Sequence, residues 1–168
     1  TANILDSYVD GVQVSYGDKV KVYGMALKGA DNDAITDGFG GTLTEKAADR
    51  IYIVGAEAAL GKVNAYVNYF KADGVDPNFG AADNGEKEIY NIGANLDVAK
   101  DLNLAYEYMW GDKKYDKEVS KDGFVATLAY KGATADTPGS WGVAATYFDQ
   151  PINAILSPTT DATTFLDE

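Results

Sequence analysis

The chain has no cysteine, which excludes disulfides, thiolate metal sites and cysteine nucleophiles. It has no histidine either, and that removes the commonest general base and the commonest metal ligand. No apolar run approaches the ~18 residues of a transmembrane helix, and Thr1-Ala2-Asn3 opens without a basic or hydrophobic leader pattern. An exported protein with this start would be met here in mature or partial form. Basic residues are few: 14 Lys and Arg against 26 Asp and Glu leave a net charge of -12, which argues against a nucleic-acid partner. Only 4 prolines accompany 18 glycines and 12 tyrosines, a composition that favours sheet.

What the chain has is alternation. Residues 88–110 read E-IYNIGANLDV-AKD-LNLAYEYMW. Tyr90, Ile92, Ala94, Leu96 and Val98 share one parity, and Ile89, Asn91, Gly93, Asn95 and Asp97 the other. After the turn, Leu102, Leu104, Tyr106, Tyr108 and Trp110 oppose Asn103, Ala105, Glu107, Met109 and Gly111. Successive strand side chains point to opposite faces, so this is a hairpin with one apolar wall and one wall of amides, acids and small residues. Two-faced strands suit an antiparallel sheet. Tyr90, Tyr108 and Trp110 lie at the end far from Ala99-Lys100-Asp101, with aliphatics between. About 10 tilted residues cross a bilayer core, and Tyr and Trp prefer its interfaces, so the expectation is a transmembrane hairpin. An ordinary sandwich hairpin is the competing reading.

The same pattern recurs along the chain, predicting strands near 8–16, 19–28, 50–60, 63–70, 87–98, 102–111, 123–130 and 141–148. Parity breaks near Asp10-Gly11 and again between Val20/Val22 and Met25/Leu27, which predicts bulges near Asp10-Gly11 and Tyr23-Gly24. Gly17-Asp18 and Gly61-Lys62 read as tight turns, whereas 29–49, 71–86 and 112–122 read as long loops and 149–168 as a loop or tail. Short and long connections thus alternate, as in outer-membrane barrels with short periplasmic turns and longer outer loops. Outward aromatics gather at both ends of the strands: Tyr52, Tyr69, Tyr90, Tyr108, Trp110, Phe124 and Tyr147 toward the long loops, Tyr16, Tyr130 and Trp141 toward the short turns. The four long segments hold 17 of the 26 acids and 6 of the 14 bases, so one end of the molecule is acidic. The fold expected is all-β: an antiparallel up-and-down transmembrane β-barrel, with eight strands present as a single segment of a larger one.

No catalytic constellation is present, and no cofactor is called for. A serine hydrolase lacks its histidine, Gly38 to Gly41 lack the P-loop lysine, and Glu57, Asp97 and Glu107 read as isolated inward carboxylates. Asp31, Asp33 and Asp37 make a weak calcium candidate, but Thr44 stands where an EF-hand loop beginning at Asp33 needs glutamate. With Asp73, Asp76 and Asp83 they form an acidic loop mouth. Lys21, Glu57, Asn64, Asn68, Asn91, Asn95, Asp97, Asn103 and Glu107 share the polar wall and are the expected pore lining.

The segments GVQVSYGDKVKVYGMAL, KVNAYVNYFKADG, YNIGANLDVAKDLNLAYEYMWGDKK and WGVAATYFDQP resemble barrel hairpins of bacterial general porins, particularly the S-layer-homology-anchored porins of the OmpM type. The resemblance is one of hairpin style over nearly the whole chain. It implies a trimeric barrel of about sixteen strands in the bacterial outer membrane, passing small hydrophilic solutes. Periplasmic short turns would put both chain ends outside, and the chain closes on Leu166-Asp167-Glu168, not a terminal aromatic, so a central piece of a larger barrel is expected. The alternative kept open is a small eight-stranded barrel, similar in strand number to the OmpA type, that binds a partner or serves adhesion through its acidic loops.

Overall fold

The computed structural model describes residues 9–29, 35–36, 42–43, 48–75, 85–111, 120–133 and 135–156. In chain order the strands are β1 (Val9–Gly17), β2 (Val20–Gly29), β3 (Ile35–Thr36), β4 (Thr42–Leu43), β5 (Arg50–Leu60), β6 (Val63–Asp73), β7 (Lys87–Ala99), β8 (Leu102–Gly111), β9 (Asp122–Lys131) and β10 (Gly142–Asp149). The minor pair β3 and β4 bond only to each other, inside the segment expected to be loop. The other eight form one antiparallel up-and-down sheet, β1-β2-β5-β6-β7-β8-β9-β10, and β1 does not pair with β10. The sheet is therefore open, and among the described residues nothing pairs with the outer edge of β1 or of β10.

Tight turns fix the register on one side. Gly61-Lys62 is a two-residue loop, and Gly61 adopts φ +70°, the left-handed geometry such hairpins require. At Lys100-Asp101 the register shifts between Asp97 and Ala99, and Asp101 takes φ +60°. The two bulges expected in the first hairpin are absent: pairing runs without a shift from Val9↔Gly29 to Gly17↔Lys21 and from Val20↔Ala58 to Lys28↔Arg50. Met25 and Leu27 thus share a face with Lys21 and Tyr23, and both pack against the hydrophobic core. Strand β6 runs to Asp73, three residues beyond its expected end, because Lys71, Ala72 and Asp73 continue the ladder opposite Tyr52, Ile51 and Arg50.

The faces differ sharply. The outer face carries Val12, Val14, Val22, Val54, Val67, Ile92, Leu104, Leu128 and Val143, bare of any cover within the described chain; Val54 is 62% exposed and Ile92 53%. The inner face holds the core. In its long-loop half Ile51, Ile53, Phe70, Ala72, Ile89, Met109 and Val125 are buried together with Ala48, Val75 and the segment 150–156.

That segment crosses the inner face after β10. It contains a short 3-10 turn, Ile152–Ala154, and contributes Ala154, Ile155 and Leu156 to the core. Asn153 Nδ2 donates to the Ser120 carbonyl at 3.0 Å, and Gln150 Nε2 lies 3.6 Å from the Met109 sulfur. Gly123 permits the crossing: a Cβ there would meet Pro151 Cδ at 2.5 Å and the Asp149 carbonyl oxygen closer still. The segment expected to be a loop or tail from residue 149 onward is therefore, from residue 150 as far as 156, a packed cap.

Candidate functional site

Below the apolar layer, toward the short turns, the inner face becomes polar. All nine expected lining residues stand on it. Cross-strand register places Lys21 opposite Glu57, Asn68 opposite Asn91, Asn64 opposite Asn95, and Asp97 opposite Asn103. Lys21 Nζ donates to Glu57 Oε1 at 2.8 Å, an exposed ion pair that solvent screens. Asn103 Nδ2 donates to Asp97 Oδ1 at 3.1 Å. Asn64 and Asn95 face solvent. Asn68, Asn91 and Glu107 do not: they are buried at 6%, 0% and 2% exposure and belong to a hydrogen-bonded belt.

Two tyrosines organise that belt. The Tyr23 hydroxyl donates to Asn68 Oδ1. The Tyr66 hydroxyl donates to Glu107 Oε2 at 2.8 Å, while Asn91 Nδ2 donates to Oε1 of the same carboxylate at 2.7 Å. Charge-assisted bonds of this length are among the stronger ones, and together they fix Glu107 against the wall. Lys21 and Glu57 neutralise each other beside it. Thr127 and Thr146 share a 2.9 Å hydrogen bond and extend the polar layer to β10.

At the short-turn end the belt opens into a cleft of about 960 Å³ lined by Lys62, Asp97, Lys100, Asp101, Asn103 and Lys131, among others. Lys131 rests over the Trp141 ring with its ammonium 4.4 Å from the centroid. The mixed charges make this mouth hydrated, without strong bias of either sign.

Of the acidic-mouth residues, Asp73 lies at the end of β6, its Oδ1 3.9 Å from Lys71 Nζ. Asp31, Asp33, Asp37, Asp76 and Asp83 lie outside the described residues, and with them the calcium candidate. Among the described residues no group of three acids could hold a metal ion.

Sequence reasoning missed the roles of Tyr23, Tyr66, Gly55 and Gly93. It also missed Lys87, a lysine with 0% exposure on the inner face at the start of β7. Tyrosine standing directly opposite glycine is a signal only once pairing is known, and pairing is a tertiary fact. No family model, no curated protein and no solved structure matches the chain.

Proposed function

We propose that this sheet is part of an outer-membrane β-barrel whose inner face lines a water-filled passage for small hydrophilic solutes and ions. The observation that carries the reading is the course of the outer aromatic belt. From Tyr52 on β5 it passes to Tyr69, Tyr90, Trp110, Tyr108, Phe124 and Tyr147, with neighbouring ring centroids 5.1 Å apart at Tyr69–Tyr90, 5.6 Å at Tyr90–Trp110 and 5.5 Å at Phe124–Tyr147. Along this path it steps two residues toward the short turns at three places, six residues over the five strand-to-strand steps from β5 to β10. The second belt behaves alike: Tyr16 on β1 is level with Phe124 on β9, whereas the belt there lies at Tyr130, six residues on.

Six residues are ~20 Å of strand, and five steps are ~24 Å of sheet, so if that line is level around a cylinder the strands lean roughly 40° from its axis. Membrane barrels tilt their strands by ~35–45°. A charged residue stands two places beyond the belt on strand after strand: Arg50 beyond Tyr52, Lys71 beyond Tyr69, Glu88 beyond Tyr90, Asp122 beyond Phe124 and Asp149 beyond Tyr147. The apolar band thus has an edge that follows the same slope. Its extent, Tyr52 to Leu60, Tyr90 to Val98 and Leu102 to Trp110, suits the ~9–11 residues of a spanning strand.

Two edges without a partner among the described residues favour a larger barrel over an eight-stranded one. Within hydrocarbon an unpaired edge has no water to bond, so β1 and β10 require further strands beside them. A homotrimer of about sixteen-stranded barrels in the bacterial outer membrane is the assembly that the resemblance to general porins implies.

The passage should be mildly cation-selective, because the long loops carry most of the negative charge and fixed acids at a mouth concentrate cations within a Debye length of ~8 Å. Reversal potentials across a planar bilayer under a KCl gradient test this. Neutralising Asp31, Asp33, Asp37, Asp73, Asp76 and Asp83 should lower the cation preference in dilute salt and change it little near ~1 M, where screening is already strong. Anion preference in the unaltered protein would overturn the proposal.

A further inference from the structure

We propose that Gly55 and Gly93 set the clear width of the passage, each being a seat into which a tyrosine from the neighbouring strand folds flat. The proposal rests on reading the inner face as a channel wall. Tyr23 stands directly opposite Gly55, and Tyr66 directly opposite Gly93. Strand side chains ordinarily stand nearly perpendicular to the sheet, so an inward tyrosine would project its ring into the lumen. Here the rings lie across the glycines instead. A Cβ added at Gly55 would meet Tyr23 Cζ at 2.7 Å and Cε2 at 2.8 Å, with Asn68 Oδ1, the acceptor of that tyrosine, closer still; one added at Gly93 would meet Tyr66 Cε1 at 2.8 Å, with Cζ and the hydroxyl closer still. Neither ring can keep its place once the glycine carries a methyl group.

Lying flat, each ring delivers its hydroxyl one strand further along. Tyr23 reaches over Gly55 on β5 to Asn68 on β6, the residue paired with Gly55. Tyr66 reaches over Gly93 on β7 to Glu107 on β8, the residue paired with Gly93. The arrangement of tyrosine, glycine and acceptor in one cross-strand row therefore occurs twice, on two different sets of three strands. A purely stabilising role would need only the ring covering the bare glycine backbone. The Tyr66 hydroxyl also bonds Glu107, the buried carboxylate of the belt, which Asn91 holds against the wall by its other oxygen.

The experiment compares single-channel conductance of the full assembled protein with that of Gly55→Ala, Gly93→Ala, Tyr66→Phe and the double variant Gly93→Ala/Tyr66→Ala in planar bilayers. Each alanine should unseat its ring and lower the conductance. Tyr66→Phe, which keeps the ring seated but loses one bond to Glu107, should lower the conductance less than Gly93→Ala does, and the double variant should recover it to the native level or above. Native conductance in both glycine variants would overturn the inference. So would a double variant as reduced as Gly93→Ala, since the loss would then come from a distorted wall and not from the ring. If Gly93→Ala does not fold, Gly55→Ala carries the same reading at the other seat. Absence of any channel in the native protein would remove the pore reading itself. The seat is then read by nitration of Tyr66 with tetranitromethane in the folded protein, where faster reaction in Gly93→Ala supports it and equal rates refute it.

Discussion

Leu104→Arg separates a lipid-facing wall from a water-facing one. Leu104 lies on the outer face of β8 between Leu96 and Leu128 and is 38% exposed. If the face met water, the change would cost part of a Leu burial: a few tens of Å² at ~25 cal/mol/Å² is about 1 kcal/mol, partly recovered because the Arg stem covers the same neighbours. If the face meets hydrocarbon, an arginine near the middle of the band should cost ~2–4 kcal/mol. The control is the adjacent residue. Asn103 points to the inner face and makes one exposed hydrogen bond to Asp97, so Asn103→Arg exchanges an amide for a cation beside a carboxylate and should stay within about ±0.5 kcal/mol. Equilibrium urea unfolding of both variants from lipid vesicles measures the difference. A midpoint shift for Leu104→Arg no larger than that for Asn103→Arg would refute the assignment of the outer face to lipid.

On intact cells, protease or antibody should reach 29–49 and 71–86, while Lys62 and Lys100 in the short turns resist an impermeant amine reagent; labelling of those lysines from outside would invert the topology. Gly123→Ala should cost ~1–3 kcal/mol by forcing the Asp149 to Pro151 backbone away from β9, and limited proteolysis should then cut between Gln150 and Leu156 faster than in the native protein. Unchanged protection there would mean that the cap does not depend on this close approach.

The outer face was legible in the sequence because a period of two is all it needs. From β5 onward the outward residues assigned by parity share one face wherever the register pairs them, and the two aromatic belts follow from the same count. Parity failed only in the first hairpin, and for an identifiable reason. The parity break between Val20/Val22 and Met25/Leu27 suggested a bulge because both pairs are apolar and an inner wall that is polar throughout has no place for either. The inner wall is layered instead, apolar toward the long loops and polar toward the short turns, so an apolar residue near the long loops can point either way. The cap escaped notice because Ile152 to Leu156 has neither strand alternation nor helical length, and what orders it is the apolar layer it lands on.

That layering bears on the choice between a water-soluble sheet and a membrane one. In a half-solvated sheet the apolar face is the one that packs, and the polar face is left to water. Here the relation is inverted. The face that is packed carries Lys21, Glu57, Asn68, Asn91, Glu107 and the buried Lys87 alongside its apolar layer, while the face left bare is apolar from Val12 to Tyr147. Bare apolar patches beyond a few hundred Å² mark an interaction surface, and this one runs across all eight strands, bordered from β5 to β10 by a line of aromatic rings and at the other end by Tyr16, Tyr130 and Trp141. A second sheet docked on it would explain the apolar side chains but not the slope of that line, because a sandwich core has no level to keep. A bilayer has one. Because Tyr and Trp seek the interface wherever a tilted strand crosses it, their positions must shift by about one residue for every strand, and from β5 to β10 they do.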